Sequence, residues 1–376
     1  MNTCVGILGG GQLAMLMCEE ARELGLRTVV LCPESRAPAA RSCDEYICAE
    51  YTDTEALDRM AASCQVITLD NEHLPDETLM HLGAQVSLHP SATMMRRLRD
   101  RLAQRGFLER LGAPQPRFFS VDKPAAVAVA ERSAPFPGFL KRRRGGYDGK
   151  GQMRVARGAD LAAAWEELGR APCVLEEAID FELEFSLVGA RGAGDALRLY
   201  PPIRNDHVDG QLYRSRWPAG LPEAAHARAE EVWHAIAEAW PSRGVIAVEF
   251  FLARDGRVLV NEIAPRVHNS GHLTQFGANC SQFALHMRAV VGMPLPELQT
   301  RDAAMLNLYP QHEVRGDRRV RQLEEQAGGR IITYGKTPRP RRKMGHWLLE
   351  PDALEKAERL LGPAPNNEDA QAPTPA

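Results

Sequence analysis

The stretch 245–272, VIAVEFFLARDGRVLVNEIAPRVHNSGH, constrains the fold most, because it predicts a β-hairpin. Val245 to Leu252 form one apolar run and Val258 to Ile263 form the next. Asp255-Gly256 lies between them and is typical of a two-residue hairpin turn. Each run also contains a glutamate, so the predicted hairpin carries two carboxylates within an otherwise apolar sheet.

The register of the hairpin follows from the position of its turn. Counting outward from the two turn residues, Arg254 faces Arg257 and Glu249 lies directly opposite Glu262. Like charges that face each other across a strand pair cost up to about 1 kcal/mol, and burial increases this cost. A cation is therefore expected between the carboxylates. Mg²⁺, which prefers oxygen ligands and commonly binds together with a phosphate, is the natural candidate.

Two other interpretations of the pair stay open. One glutamate could point to solvent, or Arg254, Arg257 or Arg266 could neutralise the pair. The segment after the second strand favours a binding site, because it is too polar for a core and its groups are those that hold phosphate and ribose oxygens. Its polar side chains are Arg266, His268, Asn269, Ser270 and His272.

Length and composition limit the class of protein. The 376 residues exceed the size at which a single core keeps growing, so two or three lobes are expected. A formal net charge of -3 gives no reason to expect a nucleic-acid or membrane partner. The 8 cysteines show no CxxC or Cys/His metal spacing, which indicates a reduced, cytoplasmic chain without structural zinc. No leader peptide and no spanning apolar run is recognisable, so secretion is not expected.

The first residues predict a βαβ unit. Cys4 to Leu8 has the pattern of a buried strand, Gly9-Gly10-Gly11 that of a tight turn, and the helix that follows ends near Gly25. A second strand, Thr28 to Cys32, comes directly afterwards. This order predicts a doubly wound, Rossmann-like α/β domain at the N-terminus.

The glycine turn also suggests a rival function. Gly9-x-Gly11-x-x-Ala14 matches the dinucleotide fingerprint of nicotinamide oxidoreductases. The second strand, however, ends in Cys32-Pro33 where a ribose-binding acid is expected, so we keep an anion site at the turn and discount the nicotinamide. Gln12 at the mouth of the turn and Glu72 after the strand Val66 to Leu69 either reach this site or lie on the surface.

A glycine-rich segment in the middle of the chain predicts a lid. Phe139 to Lys141 and Met153 to Ala156 are predicted strands, and RRRGGYDGKGQ (142–152) connects them. This is not a Walker loop, because no Gly-Lys-Ser/Thr ends it and no helix follows. A glycine-rich hairpin suits a mobile lid that closes over a triphosphate. An RNA-binding loop is the alternative, although Tyr147 and Asp148 among the glycines favour a shaped site.

The remaining segments give coarser predictions. Cys173 to Glu177 is a predicted strand, and the acids around its end could accept hydrogen bonds from an adenine amine and a ribose. The cations and glycines of 335–346 favour a rigid anion-binding loop, and the chain from Pro363 onward is expected to be disordered. In chain order, we further predict an amphipathic helix over 96–110, an irregular segment over 195–220, and helices over 224–240 and 275–291.

Together these features resemble the nucleotide site of the ATP-grasp superfamily, in which two lobes clamp ATP between sheets. The motifs similar to the N5-carboxyaminoimidazole ribonucleotide synthetase family are GGGQLA, KRRRGGYDGKGQ, NEIAPRVHNSGH and RKMGH, within a resemblance running from about Cys4 to Leu349. The implied organisation is a pre-ATP-grasp domain (1–92), an ATP-grasp domain (93–300, lid about 117–178), a small C-terminal domain (301–350), and a C-terminal helix and disordered tail (351–376).

The resemblance implies a role for each matching position. The ATP phosphates would be held by Arg101, Lys141, Gly146, Tyr147, Asp148, Gly149, Lys150, Gly151 and Gln152. The adenine and ribose would contact Glu176, Glu177, Ala178, Ile179, Glu184 and His207. Glu249 and Glu262 would bind Mg²⁺ or Mn²⁺, beside Asn261, which strict alternation turns to the other face. The ribonucleotide would contact Gln12, Leu13, Glu72, Tyr147, Arg266, Asn269, Ser270, Lys336, Arg342 and Lys343.

The implied activity is that of an ATP-dependent carbon–nitrogen ligase of de novo IMP biosynthesis. Bicarbonate would attack the γ-phosphate of ATP to give carboxyphosphate, and the amine of 5-aminoimidazole ribonucleotide would capture the carboxyl carbon. Asp148 would orient or deprotonate this amine, Lys336 would bind the nucleotide phosphate, and His268 would lie nearby. A homodimer is the expectation from the family.

Three alternatives and three departures from the family pattern accompany this hypothesis. A related ATP-grasp ligase would transfer formate to glycinamide ribonucleotide, an oxidoreductase would bind NAD(H), and a nucleotide-binding or RNA-binding protein would show no turnover. The departures are Met15 where arginine is common, Asp70 to Pro75 (DNEHLP) where Glu-x-Glu-Asn-Val-Pro is usual, and Lys150 where arginine is frequent.

Overall fold

The computed structural model describes residues 3–146 and 151–362. Within these residues the strands form three sheets. Among the described helices, none combines the length and the hydropathy needed to cross a bilayer. The expectation that the chain from Pro363 onward is disordered lies outside the described residues.

The first sheet is parallel and belongs to the N-terminal part of the chain. Its strands are β1 (Cys4–Leu8), β2 (Arg27–Leu31), β3 (Glu45–Ile47), β4 (Val66–Leu69) and β5 (Ser87–Leu88). The accompanying helices are α1 (Gln12–Glu23), α2 (Thr54–Ser63), α3 (Asp76–Gly83) and α4 (Ala92–Leu98). The order β3-β2-β1-β4-β5 confirms the doubly wound prediction, since buried apolar strands of this kind need helices on both faces.

The second sheet is antiparallel and contains the predicted lid strands. Its elements, after α5 (Arg101–Arg110), are β6 (Phe118–Val121), α6 (Pro124–Ser133), β7 (Gly138–Arg142), β8 (Gln152–Val155), α7 (Leu161–Glu167) and β9 (Cys173–Glu177). The order is β6-β9-β7-β8, so the strands on either side of the glycine-rich loop pair with each other. This small sheet has its own apolar core around Leu140 and Trp165.

The third sheet is the largest and runs through the rest of the chain. Its strands are β10 (Phe181–Arg191), β11 (Leu197–Leu199), β12 (Ile203–Val208), β13 (Gln211–Trp217), β14 (Gly244–Ala253), β15 (Val258–Ala264), β16 (Ala303–Leu308), β17 (Arg330–Thr333) and β18 (Gly345–Leu349). Its helices are α8 (Glu223–Glu238), α9 (Thr274–Gly277), α10 (Gln282–Val291), α11 (Gly316–Ala327) and α12 (Leu354–Leu361). The order β15-β14-β10-β12-β13-β16-β18-β17, with β11 beside β10, joins the hairpin to the C-terminal strands.

The first and third sheets share one core, which brings the two ends of the chain together. Leu16 of α1, Phe283 of α10 and Ile332 of β17 belong to the same buried cluster. The glycine turn before α1 and the loop after β17 are therefore held on one side of this core. The predicted anion-binding segments lie in these two places.

Three predicted elements differ from the structure. The helix predicted over 96–110 is divided at Asp100, whose carboxylate accepts the N–H groups of Leu102 and Ala103 and so begins α5. The helix predicted over 275–291 is divided because Ser281 begins α10 in the same way. The segment 195–220 is not irregular but forms β11 to β13, and its charged side chains pair across neighbouring strands, as the half-buried Asp206 of β12 does with Arg214 of β13.

In the hairpin of β14 and β15 the two carboxylates pair as predicted, although the residues between them and the turn pair differently. Glu249 is directly opposite Glu262, as predicted. The predicted pairing of Arg254 with Arg257 is wrong, because the turn has one residue more and Gly256 closes it with a φ of 83°. The register near the turn is therefore shifted by one residue.

A β-bulge restores the register farther along the hairpin. Phe250 is opposite Val260 and Glu249 is opposite Glu262, so Asn261 is the extra residue. The prediction that Asn261 faces away is therefore wrong, because alternation is interrupted at the bulge. Its Nδ2 lies 3.4 Å from Oε2 of Glu249. The consecutive side chains of Asn261 and Glu262 thus lie on the same face of the sheet as the Glu249 carboxylate.

Candidate active site

One face of α5 covers the outer edge of β15. The Gln104 side chain accepts the N–H of Ile263 at 3.0 Å and donates to its carbonyl at 3.1 Å. The Arg105 guanidinium donates to the carbonyls of Val260 at 3.0 Å and Asn261 at 2.8 Å. These contacts satisfy backbone groups of an edge strand beside its bulge. They fix the part of the hairpin that carries the carboxylates.

Each carboxylate of the hairpin has a nitrogen-bearing neighbour. Nη1 of Arg101 lies 3.2 Å from Oε2 of Glu262, and its Nη2 donates to the carbonyl of Gly146 at 3.1 Å. Nε2 of His268 lies 3.3 Å from Oε1 of Glu249. The three arginines considered as neutralising partners pair with other acids: Arg254 with Asp180, Arg257 with Asp255, and Arg266 with Glu72.

The charge of the pair is incompletely neutralised. Burial, together with the neighbouring carboxylates of Glu262 and Glu184, raises the pKa of Glu249 to about 7. The charges of His207 and Lys343 act in the opposite direction without cancelling the effect. A carboxylate in this situation binds a proton or a cation at neutral pH.

This donor set fits a magnesium ion that also binds a substrate phosphate. Among the described residues, no group of three or more His, Cys, Asp or Glu side chains surrounds a common metal position. Mg²⁺ commonly uses one or two carboxylates and takes its other ligands from phosphate and water. The paired carboxylates of Glu249 and Glu262 match this requirement. The pKa of Glu249 is raised by burial and, to a smaller extent, by the neighbouring carboxylates, and a bound cation would favour its charged form.

A buried ion-pair cluster adjoins the hairpin. Glu176 is 3% exposed, and its carboxylate lies 2.8 Å from Nε of Arg105 and 2.7 Å from Nζ of Lys141. Burial alone would raise the pKa of Glu176, but the charges of Arg105 and Lys141 outweigh it and hold the pKa well below its usual range. Glu176 therefore keeps Lys141 oriented, and its predicted contact with adenine stays a prediction.

Sequence reasoning missed Arg105, although the spacing contained a signal. Arg105 is 2% exposed and lies three residues after Leu102 and three residues before Leu108, on the face predicted to be apolar. A cation at such a position needs a buried partner. That partner is Glu176, from the strand β9.

The residues predicted for the adenine and ribose lie along β9, β10 and β12. Nδ1 of His207 lies 2.5 Å from Oε2 of Glu184. Burial lowers the pKa of His207, but the hydrogen bond and charge of Glu184 outweigh it and raise the pKa. Glu177, the last residue of β9, accepts the N–H of Arg117 at 3.4 Å. The connection from β9 to β10 contains Ala178, which donates to the Pro137 carbonyl at 3.0 Å, and the half-buried Ile179.

The glycine turn before α1 is closed by the chain's own carboxylate. The N–H of Gly11 donates to Oδ2 of Asp70 at 2.6 Å. A Cβ on Gly9, which has a φ of 99°, would lie 1.9 Å from Oδ1 of Asp70. The prediction of an anion site at the N–H groups of this turn needs correction, because Asp70 from the end of β4 occupies the Gly11 amide. Burial raises the pKa of Asp70.

The residues predicted to hold the ribonucleotide meet beside this turn. Nζ of Lys336 donates to Oε1 of Gln12 at 2.5 Å and lies 5.1 Å from the centre of the Tyr334 ring. Burial lowers the pKa of Lys336 to about 8, and the charges of Arg342 and Lys343 contribute to the shift. Two distant parts of the sequence, α1 and the loop after β17, thus form one cationic site.

The other predicted ribonucleotide contacts line the same region. Nε of Arg266 lies 2.7 Å from Oε1 of Glu72. Asn269 has both polar side-chain atoms buried and without a hydrogen-bond partner in the part of the chain that is described, which fits a ligand contact. The remaining members are Ser270, which is fully buried, Leu13, whose side chain lies in the core, Arg342, which donates to the Thr337 carbonyl at 3.2 Å, and the half-buried Lys343.

Four residues of the predicted lid, namely Tyr147, Asp148, Gly149 and Lys150, lie outside the described residues. The lid residues on either side are placed: Gly146 accepts from Arg101, the Gly151 carbonyl accepts the N–H of Arg142 at 2.9 Å, and Gln152 pairs with Lys141. The base of the lid is thus joined to the phosphate-binding candidates Lys141 and Arg101.

Family models match nearly the whole chain. Residues 1–98 match the ribonucleotide synthetase preATP-grasp domain, 106–283 the ATP-grasp domain, and 303–359 the phosphoribosylaminoimidazole carboxylase C-terminal domain. The chain is 38% identical over 346 residues to the N5-carboxyaminoimidazole ribonucleotide synthase of Pseudomonas aeruginosa, an alignment that covers 92% of this chain and 94% of that protein.

Solved structures agree with these matches. A crystal structure of an N5-carboxyaminoimidazole ribonucleotide synthetase with ADP is similar with a TM-score of 0.90 at 32% identity, over 96% of both chains. The Aspergillus clavatus enzyme in complex with ADP and 5-aminoimidazole ribonucleotide is similar with a TM-score of 0.85 at 28% identity, over 96% of this chain and 97% of that one.

Proposed function

This chain belongs to the N5-carboxyaminoimidazole ribonucleotide synthetase family, and we propose from this premise which of its residues bind the metal ion, ATP and the ribonucleotide. The chain is an ATP-dependent ligase of purine biosynthesis that carboxylates 5-aminoimidazole ribonucleotide. The observation that carries the assignment of residues is the register of the hairpin, in which Glu249 faces Glu262. Arg101 contacts Glu262, and Arg105 joins the hairpin to the Glu176–Lys141 pair.

The hairpin carboxylates would hold Mg²⁺, or Mn²⁺ in its place. When bound, the ion would supply positive charge to the phosphate oxygens during phosphoryl transfer. Glu249 and Glu262 would be its protein ligands, and Asn261 would lie beside them. The bulge supports this part of the proposal because it places all three side chains together.

The ATP phosphates would lie between the hairpin and the lid. Lys141, oriented by Glu176, and Arg101, which already contacts the base of the lid, would neutralise the γ-phosphate as bicarbonate attacks it. Closure of the lid over the site would exclude water, which is necessary because carboxyphosphate hydrolyses readily. Glu184 and His207 would accept and donate hydrogen bonds at the ribose.

The ribonucleotide would bind where α1 and the loop after β17 meet. Lys336 and Arg342 would hold its phosphate, with Gln12 orienting the Lys336 ammonium. Asp148 would orient the exocyclic amine, which attacks the carboxyl carbon of carboxyphosphate. As the carbon–nitrogen bond forms, the carbon–oxygen bond to the phosphate breaks, inorganic phosphate leaves, and Asp148 accepts the proton of the amine. The orphaned amide of Asn269 supports a ligand in this region.

A coupled ADP-release assay tests the proposal. ADP release should require both 5-aminoimidazole ribonucleotide and bicarbonate, and the carboxylated product should form in equal amount. Release driven instead by formate and glycinamide ribonucleotide would favour the related transformylase. ATP binding without any substrate-dependent release would favour a non-catalytic nucleotide-binding protein.

We further propose that the chain forms a homodimer and is located in the cytoplasm. The dimer is inferred from the family resemblance, and light scattering on the purified chain would measure it. The location is supported by the 8 free cysteines, because free thiols are typical of a reducing compartment. Small molecules, rather than nucleic acids or membranes, are the proposed partners.

A further inference from the structure

A row of buried polar side chains crosses the third sheet and ends at the hairpin carboxylates. The row contains Ser215 of β13, Asn205 of β12, Ser186 of β10 and Ser270, which lies in a 3₁₀ turn (Asn269–Leu273) packed on the sheet. All four side chains are at most 3% exposed. Polar groups at such positions cost stability unless they are paired, and these are paired with one another.

The direction of the hydrogen bonds can be read from the His268 end. The backbone N–H of Ser270 donates to Nδ1 of His268 at 3.3 Å. An N–H group can only donate, so Nδ1 accepts and carries no proton. The ring proton of His268 is therefore on Nε2, which lies 3.3 Å from Oε1 of Glu249. The imidazole thus donates to the carboxylate.

The rest of the row continues in the same direction. Since Nδ1 of His268 accepts, the Ser270 hydroxyl at 2.9 Å donates to it. Oγ of Ser270 then accepts from the Ser186 hydroxyl at 2.7 Å. Oγ of Ser186 accepts from Nδ2 of Asn205 at 3.0 Å, and Oδ1 of Asn205 accepts from the Ser215 hydroxyl at 2.9 Å. Each of the four side chains donates toward the hairpin, and Asn205, Ser186 and Ser270 also accept from the member behind them.

We infer that Ser186, Asn205 and Ser215 are positioning residues of the ligase, because their hydrogen bonds direct the Ser270 hydroxyl to donate to Nδ1 of His268. This second donor reinforces the Nε2–H tautomer that the Ser270 backbone N–H favours and that donates to Glu249. Hydrogen bonds aligned head to tail polarise one another, and the effect is larger in a buried environment. The row therefore fixes the orientation of one metal-binding candidate from three strands away. The inference rests on the proposed function only in its kinetic part.

The sheet explains why this arrangement is rigid. Ser186 is directly opposite Glu249 across β10 and β14, and Asn205 is directly opposite Ser215 across β12 and β13. The backbone ladder thus fixes the spacing of the row independently of the side chains. A histidine held through one ring nitrogen while the other contacts a carboxylate is a common way to orient a metal site.

Nitrogen-15 NMR of histidine-labelled protein tests the tautomer directly. The His268 signal is assigned with His268→Gln, and the wild-type chain should show a protonated Nε2 and an unprotonated Nδ1 without any ligand. A protonated Nδ1 would overturn the inference. This readout is independent of turnover, so it stands even if the proposed reaction fails.

Two variants and a control test the row itself. In Ser186→Ala, the Nδ1–H tautomer should become detectable and the concentration of Mg²⁺ for half-maximal activity should rise about 10-fold, while KM for the ribonucleotide stays unchanged. Ser215→Ala, at the end of the row farthest from His268, should show the same changes to a smaller extent. It provides the test if Ser186→Ala does not fold. The control is Ser120→Ala on β6, whose hydroxyl has no partner among the described residues. Wild-type tautomer and Mg²⁺ dependence in both variants would overturn the inference.

Discussion

Nζ of Lys141 lies 2.7 Å from Oε2 of Glu176, and Nε of Arg105 lies 2.8 Å from the other oxygen of the same carboxylate. One buried carboxylate thus forms ion pairs with two cations, one from α5 and one from β7. Lys141 is oriented before any nucleotide arrives, so little ordering is needed when a phosphate binds. The arrangement also makes the cluster sensitive to the loss of its single negative charge.

Glu176→Gln should destabilise the fold and weaken ATP binding. The change leaves Arg105 and Lys141 buried without a compensating charge, which typically costs about 3–5 kcal/mol. Urea unfolding measures the stability and a nucleotide titration measures the binding. Glu177→Gln on the next, less buried position is the matched control and should remain within about 0.5 kcal/mol of the wild type. Equal stability of the two variants would contradict the role given to Glu176.

Glu249→Gln and Glu262→Gln should each abolish most ATP-dependent turnover without unfolding the chain. Removing one carboxylate takes away half of the proposed metal site, and we expect kcat to fall about 100-fold. The ADP-release assay at several Mg²⁺ concentrations measures the effect. Glu182→Gln, an exposed change on the adjacent strand β10, serves as the control. Near-normal activity of either hairpin variant would refute the metal assignment.

Asp148→Asn should separate nucleotide binding from carboxylation. The amide keeps the size of the side chain but cannot accept the proton of the ribonucleotide amine, so product formation should fall about 100-fold. The dissociation constant for ATP should change little, as a binding titration run beside the product assay would show. Loss of both properties together would mean that Asp148 acts on the nucleotide instead.

The pH dependence of ribonucleotide use should report Lys336. Its pKa is lowered to about 8, so the ammonium form dominates below pH 8 and is lost above it. If this charge binds the substrate phosphate, kcat/KM for the ribonucleotide should fall above pH 8 while kcat/KM for ATP does not. Lys336→Arg keeps its charge at high pH and should flatten this fall. A rise in kcat/KM above pH 8 would indicate a neutral amine acting as a base.

The stability of the chain should depend on His346 at acidic pH. Burial lowers the pKa of His346 from 6.5 to about 3, so between these values the unfolded state binds a proton that the folded state does not. The contribution of His346 to the free energy of unfolding is therefore complete above pH 6.5. It is lost progressively as the pH falls, by about 2 kcal/mol between pH 7 and pH 5. Urea unfolding of His346→Gln should show a loss smaller by this amount. The exposed change His234→Gln should behave as the wild type.

The sequence predicted the parts of the site that depend on local patterns. The pairing of Glu249 with Glu262 followed from strand periodicity and a turn signal, and the βαβ unit from glycines at a helix start. The sequence could not show that Asn261 forms a bulge, because the Arg105 guanidinium that contacts its carbonyl comes from helix α5, a distant part of the chain. The predicted turn was one residue too short, and the predicted strand lacked the one-residue bulge at Asn261. These two errors cancel, so the predicted register is correct at Glu249.

Buried polar residues were the least predictable part. Asn205 lies among charged residues that suggested an irregular segment, yet it is 3% exposed and hydrogen bonded on both sides. Asp70 was recognised only as a departure from a family pattern, and its contact with the Gly11 amide depends on how β1 and β4 pair. Such contacts arise from tertiary packing, which no local pattern records.

The pairing of β13 with β16 carries the third sheet across the interval between the ATP-grasp match, which ends at residue 283, and the C-terminal match, which begins at residue 303. A chain cut in that interval would leave β13 with an unprotected row of N–H and C=O groups, open to aggregation. The C-terminal region is thus no interchangeable module: recombination between relatives should succeed only when the crossover avoids separating these two strands.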